Sequence, residues 1–353
     1  MISFMKKYWI IIGISLQIAC TNKDVPNPFD PAAPKPIESN ARPSSIGIVG
    51  DTSDIKTNTQ SGIVIMGGGT DVDAAFQWMI NRSGGGDVVI LRASGTDAYN
   101  AYINGLGKVN SVETLKIDSR KLADNDRVAE IVRNAEMLFI AGGDQSDYVG
   151  YWKDTKVMRA INYLLTEKKV PVGGTSAGAA ILGNYYFGAE RGSVDSDEAL
   201  LNPYNTKIVL GNGDFLKSSY LSNIITDQHF SQRNREGRLA TFLARIMKDH
   251  GKAINAIAVD ERTAVCIDDL GQAAVIGANK AYFVKSDLSK QPENISSSVP
   301  LTWNNMGKAL QVYSTSGFES NNRFNIISFT PEIALGFDNY WWSIVNGNLQ
   351  EIR

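Results

Sequence analysis

The residues best suited to chemistry in this chain are Gly174-Thr175-Ser176-Ala177-Gly178, reached directly from the run Val170-Pro171-Val172-Gly173. A β-rich run ending in Gly-x-Ser-x-Gly describes a strand that turns sharply into a helix and leaves a serine hydroxyl at the bend. Glycines are needed there because side chains would clash in the strained turn and block the approach of a substrate. A serine becomes a useful nucleophile only when it is exposed, oriented and handed to a base. Histidine is scarce: the chain has two, His229 and His250. His229 lies in Asp227-Gln228-His229-Phe230-Ser231-Gln232-Arg233, a polar cluster that packing does not explain, and it is the candidate base. His250 closes Lys248-Asp249-His250-Gly251, where a cation ahead of a glycine has an ordinary role at a helix C-terminus. A base of this kind needs an acid behind it to fix its tautomer. Glu261, in Val259-Asp260-Glu261-Arg262-Thr263, suits a strand-end carboxylate, with Asp260 and Asp227 as competitors. For the oxyanion of a tetrahedral intermediate, the amide of Ala177 is the first expected donor. The turn Gly142-Gly143-Asp144 offers the second, taken here as Gly143, because its glycines expose backbone N–H groups.

These groups need a scaffold, and the pattern around them is α/β. Gly62 to Met66, Asp87 to Leu91, Val112 to Ile117, Met137 to Ala141 and Val170 to Val172 read as strands. Asp71 to Asn81, Asp126 to Asn134, Val157 to Leu165 and Arg235 to Lys248 read as helices. Such alternation implies crossover units and a mostly parallel sheet with helices on both faces. Ligands of such sheets bind at the carboxyl ends of strands, where Gly67-Gly68-Gly69, Gly142-Gly143-Asp144 and the serine turn all fall. Asn184 to Thr226 has no clean periodicity and reads as an excursion near the site. Ala253 to Val284 is β-rich, with turns at Asp260-Glu261-Arg262 and at Asp268 to Gly271.

The ends differ from the middle. Lys6-Lys7, an apolar stretch from Tyr8 to Ala19, and Cys20 have the charge and length of a secretory signal. They are also similar to a bacterial lipoprotein signal, in which the cysteine is lipidated, although Gln17 stands where that pattern prefers an aliphatic residue. The expectation is an exported protein held to a membrane through lipid on Cys20. Residues 21–45 carry Pro26, Pro28, Pro31, Pro34, Pro36 and Pro43 and read as a stiff tether unable to bury a core. The organisation expected is therefore signal 1–20, tether 21–45, an α/β domain over 46–285, and a β-rich C-terminal extension over 286–353 packed on that domain. Cys266, the one other cysteine, sits in the apolar run Thr263 to Ile267 and reads as a buried, inert thiol. A net charge of −2 gives no reason to expect a nucleic-acid partner. Two histidines and one internal cysteine offer no metal-ligand spacing, and no cofactor is called for.

Taken together, Gly173 to Ala179, Gly142-Gly143-Asp144-Gln145, and Asp227-Gln228-His229-Phe230 with Arg233, Arg235 and Gly237-Arg238-Leu239 resemble the cyanophycinase family of serine peptidases. That family also contains the α-aspartyl dipeptidase. The resemblance spans roughly Ile63 to Val265. It implies a flavodoxin-like α/β fold related to class I glutamine amidotransferases and a Ser-His-Glu triad of Ser176, His229 and Glu261. It further implies substrate-binding or site-shaping places for Gln145, Asp227, Gln228, Arg233, Arg235 and Arg238, with Asp227 free to receive a substrate guanidinium or amine. A homodimer is expected by analogy. Cyanophycinase cleaves a poly-aspartate polymer, bearing arginine on each β-carboxyl, into β-aspartyl-arginine dipeptides. Guanidinium forks suit such a carboxylate-rich substrate, although Arg235 and Arg238 also read as solvated helix-face residues. The expected function is a serine exopeptidase acting on cyanophycin or related β-aspartyl-linked peptides through an acyl-enzyme. Three alternatives stand beside it: an α-aspartyl or other acidic-peptide hydrolase, an α/β-hydrolase esterase, and an anchored peptide-binding protein with vestigial catalytic residues. The esterase pattern places its acid before the histidine, whereas Glu261 follows His229.

Overall fold

The computed structural model describes residues 42–319 and 322–353; the signal segment, Cys20 and residues 21–41 of the tether lie outside the described residues. Through the first half, strands and helices alternate: β1 (Ser45–Gly50), β2 (Gly62–Met66), α1 (Asp73–Arg82), β3 (Asp87–Arg92), α2 (Ala98–Leu106), β4 (Ser111–Lys116), α3 (Arg120–Ala123), α4 (Asp126–Asn134), β5 (Met137–Ile140), α5 (Gln145–Trp152), α6 (Lys156–Tyr163), β6 (Pro171–Thr175) and α7 (Ala177–Ala180). Because each return to the sheet passes through helix, β4, β3, β5, β6 and β2 lie side by side and parallel, in that order. Period-two alternation then splits each strand between two cores. In β2, Val64 and Met66 join Phe76, Met79 and Ile103 of α1 and α2, while Ile63 and Ile65 face the opposite layer with Val128 and Val132 of α4 and Ile161 of α6.

The second half builds another layer. It runs β7 (Tyr185–Phe187), α8 (Ser196–Leu201), β8 (Leu210–Asn212), β9 (Ile224–Gln228), α9 (Glu236–His250), β10 (Asn255–Val259), β11 (Thr263–Ile267), β12 (Gln272–Gly277) and β13 (Lys280–Lys285). Helix α9 is the crossover that makes β9 and β10 parallel neighbours. Strand β10 belongs to this second sheet, but β11 pairs antiparallel with β2 of the first. The turn Asp260 to Arg262 therefore carries the chain from one sheet to the other. Ile257, Val259 and Phe283 of the second sheet share a core with Ile63, Ile65, Val89 and Leu91 of the first.

The final stretch comprises β14 (Asn294–Ser296), β15 (Val299–Thr302), β16 (Leu310–Ser316), β17 (Arg323–Asn325), β18 (Thr330–Pro331), β19 (Asp338–Val345) and β20 (Asn348–Ile352). It enlarges both sheets: β16, β19 and β20 extend the second beyond β13, and β17 and β18 extend the first beyond β12. The fold is α/β, with a parallel core inside a mixed sheet, helices, and a β-rich C-terminal extension. Residues 42–353 form one compact unit.

Two sequence expectations need correction. The stretch from Asn184 to Thr226 is not a formless excursion; it holds β7, α8, β8 and most of β9, elements too short to show a period. Packing also begins before the expected end of the tether, because Arg42 clamps the buried Glu113 with its guanidinium, Nε lying 2.7 Å from Oε1. Among the described residues no helix is long and apolar enough to cross a membrane.

Candidate active site

Strand β6 delivers Ser176 to the carboxyl edge of the parallel core, and the turn there is as tight as the glycine pattern requires. Ser176 has φ 51° and ψ −118°, a conformation that costs about 1–3 kcal/mol and persists only where its surroundings enforce it. A Cβ on Gly174 would lie 2.6 Å from the carbonyl carbon of Gly178, and one on Gly178 would lie 2.1 Å from the Ile140 oxygen. Neither position admits a side chain. The hydroxyl that results is partly exposed at the bend.

His229 follows β9 and also takes a left-handed backbone, φ 47°, anchored by its N–H to the Gly67 carbonyl at 2.8 Å. Its Nε2 lies 2.7 Å from Ser176 Oγ, and its Nδ1 lies 2.6 Å from Glu261 Oε1. Glu261 is thus the carboxylate hydrogen-bonded to the far side of the imidazole. Of its competitors, Asp260 accepts from the Ser231 N–H at 2.8 Å and is buried, while Asp227 is occupied elsewhere. The backbone of Glu261 is braced on both sides. Its N–H donates to Gln232 Oε1 at 2.8 Å, and its carbonyl accepts from Asn279 Nδ2 at 2.7 Å. The hydrogen-bonded chain assembles at the meeting of the two sheets: serine from the first, histidine from the second, glutamate from the turn joining them.

The triple glycine after β2 has a role here that the sequence reading left open. A Cβ on Gly68 would sit 2.4 Å from the imidazole Cε1, and one on Gly69 would sit 3.2 Å from Glu261 Oε2. Gly68 and Gly69 also have φ +94° and +72°, conformations that L side chains rarely adopt. The turn is therefore a cradle shaped to the imidazole and the carboxylate, and three consecutive glycines at a strand end were its signal. Gln232 and Asn279 gave no such signal, since each acts across a long stretch of chain.

The imidazole is tuned toward its neutral form. Burial, foremost, pushes its pKa below 6.5; the Glu261 hydrogen bond pulls it up, and the charges of Arg233 and Arg235 push it down again. A neutral imidazole with Nδ1–H held by a carboxylate presents a basic Nε2 to the serine. On the facing side, β5 leads into Gly142, whose Cα faces Ser176: a Cβ built there would lie 3.5 Å from the Ser176 Cβ. Among the described residues no acceptor takes the N–H of Ala177 or Gly143. Gln145 is the first residue of α5, directly after that turn, and is partly exposed.

The arginines divide. Arg233 is exposed and has no carboxylate partner among the described residues. Arg238 is only 2% exposed; it donates from Nε to Asp227 Oδ2 at 2.9 Å, and its Nη2 pairs with Oδ1. Arg235 is buried as well, donating from Nη1 to the Gln228 carbonyl at 2.6 Å, and burial lowers its pKa to about 10. Gln228 is buried in the same network. Two expectations are corrected by this arrangement. Arg235, just before α9, and Arg238, in its first turn, are not solvated residues, because both are buried against Gln228 and Asp227 of β9. Asp227 is not free to receive a substrate cation, because the chain's own guanidinium already fills it. His250 ends α9 exposed, ahead of Gly251 at φ 64°, as a capping residue would. Cys266 is fully buried, and its thiol is pushed up to about 12 by burial.

Comparison with known proteins adds the lineage. Residues 63–275 match the model of "Peptidase family S51". The chain is 26% identical over 261 residues to a cyanophycinase of Trichormus variabilis, covering 70% of this chain and 82% of that protein. It is 25% identical over 241 residues to one from Geminocystis herdmanii, covering 65% and 82%. Among solved structures, a peptidase from an acI-B1 actinobacterium aligns with 18% identity and a TM-score of 0.47, over 64% of this chain and 91% of that one. The matched span runs from Ile63 in β2 into β12 and includes Ser176, His229 and Glu261. This chain belongs to peptidase family S51 and is a serine peptidase.

Proposed function

We propose that the chain hydrolyses cyanophycin or related β-aspartyl-linked acidic peptides through an acyl-enzyme on Ser176. The observation that carries this reading is the continuous hydrogen-bonded chain from Ser176 Oγ through His229 to Glu261. Ser176 Oγ attacks the scissile carbonyl while His229 Nε2 takes its proton, and Glu261 holds the imidazole and stabilises it once charged. The oxyanion forms against the amides of Ala177 and Gly143, each such donor being worth about 10²–10³ in rate. His229 then returns the proton to the leaving amine, and water repeats the sequence on the ester. Arg233 supplies the guanidinium for a substrate carboxylate, while Asp227, Gln228, Arg235 and Arg238 hold the wall of the site from behind. Gln145 lines the substrate path at the start of α5. That curated relatives are named cyanophycinases supports reading the substrate link as β-aspartyl rather than α-aspartyl.

Export and lipid attachment at Cys20 belong to the same reading, and an exported enzyme would meet extracellular polymer. Loss of membrane association in Cys20→Ala would support the anchor; unchanged association would remove it.

Incubation with cyanophycin, β-aspartyl dipeptides and α-aspartyl dipeptides, with products identified by mass, tests the substrate. β-Aspartyl-arginine is the product expected. Ser176→Ala should lose at least about 10³-fold in turnover and should lose labelling by a fluorophosphonate. Equal labelling of the folded variant and the wild type would end the enzymatic assignment.

A further inference from the structure

The turn that offers the second oxyanion donor is held by a side chain outside the triad. Tyr148, on α5, is buried, and its single hydroxyl donates to two successive carbonyls, Ala141 at 2.9 Å and Gly142 at 3.0 Å. No cis peptide bond occurs among the described residues, and in a trans peptide the N–H points opposite the C=O. Drawing both carbonyls toward one hydroxyl therefore turns the N–H groups of Gly142 and Gly143 to the other side of the strand end. The glycine faces agree with that geometry. A Cβ on Gly143 would lie 2.8 Å from the Tyr148 oxygen, whereas one on Gly142 would lie 3.5 Å from the Ser176 Cβ. The pairing of Ile140 with Gly174 in the parallel ladder continues this register, setting Gly142 beside Ser176.

The tyrosine itself cannot swing. Its ring stacks on Trp152, with centroids 4.3 Å apart and planes 16° apart, and Trp152 is fixed through Nε1 to the Ile117 carbonyl at 2.9 Å. Burial raises the phenol pKa further above its ordinary value, so the hydroxyl keeps its proton and remains a donor throughout the working range.

We infer that Tyr148 is a positioning residue: it sets the peptide planes at Gly142-Gly143 so that the Gly143 amide faces the oxyanion formed on Ser176. The inference rests on the reading of Ser176 as nucleophile. Without the phenol oxygen the diglycine peptides are free to rotate, and a donor that must be organised during reaction stabilises the transition state less than one fixed beforehand.

A fluorophosphonate probe tests this on the full chain, because its tetrahedral adduct places an oxygen where the oxyanion would sit. Tyr148→Phe keeps the stacked ring and removes only the hydroxyl. The inactivation rate constant should fall about 10–100-fold, with the probe's binding constant and the melting midpoint near wild type. An unchanged rate constant would overturn the inference. Gly143→Ala gives an independent arm, since its Cβ presses on the phenol oxygen: it should slow labelling in the wild-type background and do so much less beside Tyr148→Phe. Additive effects of the two substitutions would count against the coupling. Should Tyr148→Phe not fold, Gly143→Ala alone decides, an unslowed reaction overturning the inference. Persistent labelling of Ser176→Ala would instead defeat the nucleophile assignment, and this inference with it.

Discussion

At the scale of single residues, the site works by contrast between neighbours of the same type. Arg233 and Arg238 lie five positions apart in the sequence, yet one is exposed without a carboxylate partner and the other is sealed against Asp227. Removing Arg233 should therefore change chemistry without changing stability. Its charge helps hold the His229 pKa below 6.5. In the wild type, kcat/KM should fall only as pH drops through that depressed value, where the imidazole gains a proton and ceases to be a base. Arg233→Gln should move this acid limb to higher pH, raise KM for an acidic peptide, and leave the melting midpoint in place. Added salt should shrink the difference in pH profile, because an exposed charge is screened. A profile identical to wild type at low salt would remove Arg233 from the site. Arg238 should behave in the opposite way. Arg238→Leu strands a buried carboxylate, a defect worth about 3–5 kcal/mol. Its signature is a melting midpoint lower by about 10 °C, and an undiminished midpoint would show that Asp227 finds another partner.

At the scale of elements, the candidate site is two turns of positive φ meeting a third made of three glycines. Ser176 and His229 both hold positive φ, and the turn Gly67-Gly68-Gly69 fits round the imidazole and the Glu261 carboxylate. Gly68→Ala tests that fit. The added methyl meets the imidazole at 2.4 Å on a backbone at φ +94°, so the ring must shift. A displacement near 1 Å costs about 10²-fold in rate, and at least that loss of kcat is expected from a protein that still melts cooperatively. Full activity in Gly68→Ala would mean that the cradle is not needed. The glycines and the serine turn were legible in the sequence because steric demand leaves a compositional mark. The short strands β7 and β8 were not, since three residues are too few to show an alternation and their existence depends on pairing with distant chain.

At the scale of the whole molecule, the site is a property of two sheets joined at one turn. The C-terminal extension takes part in that structure through Trp303, Trp342 and Ile344, which are fully buried in the core that also contains Leu239 and Phe242 of α9. Because α9 connects the His229 turn to β10, loosening it should loosen the base. Truncation after residue 285 should therefore abolish cooperative unfolding, as followed by circular dichroism during heating, together with phosphonate labelling of Ser176. A truncated chain that melts sharply and still labels would show that residues 46–285 suffice alone.

Local sequence determined the tight Ser176 turn, the α/β alternation and the buried place of Cys266, because each depends on residue type and short-range spacing. The family resemblance named Glu261, and the folded chain sets Glu261, rather than Asp260 or Asp227, against His229 Nδ1, since that hydrogen bond depends on where the turn between two sheets comes to rest. The tertiary structure likewise decided which arginine is free and which is spent within the protein. Burial and pairing are relations among distant segments, and the start of α9 sets Arg238, and Arg235 just before it, against β9 in a way that no local pattern encodes.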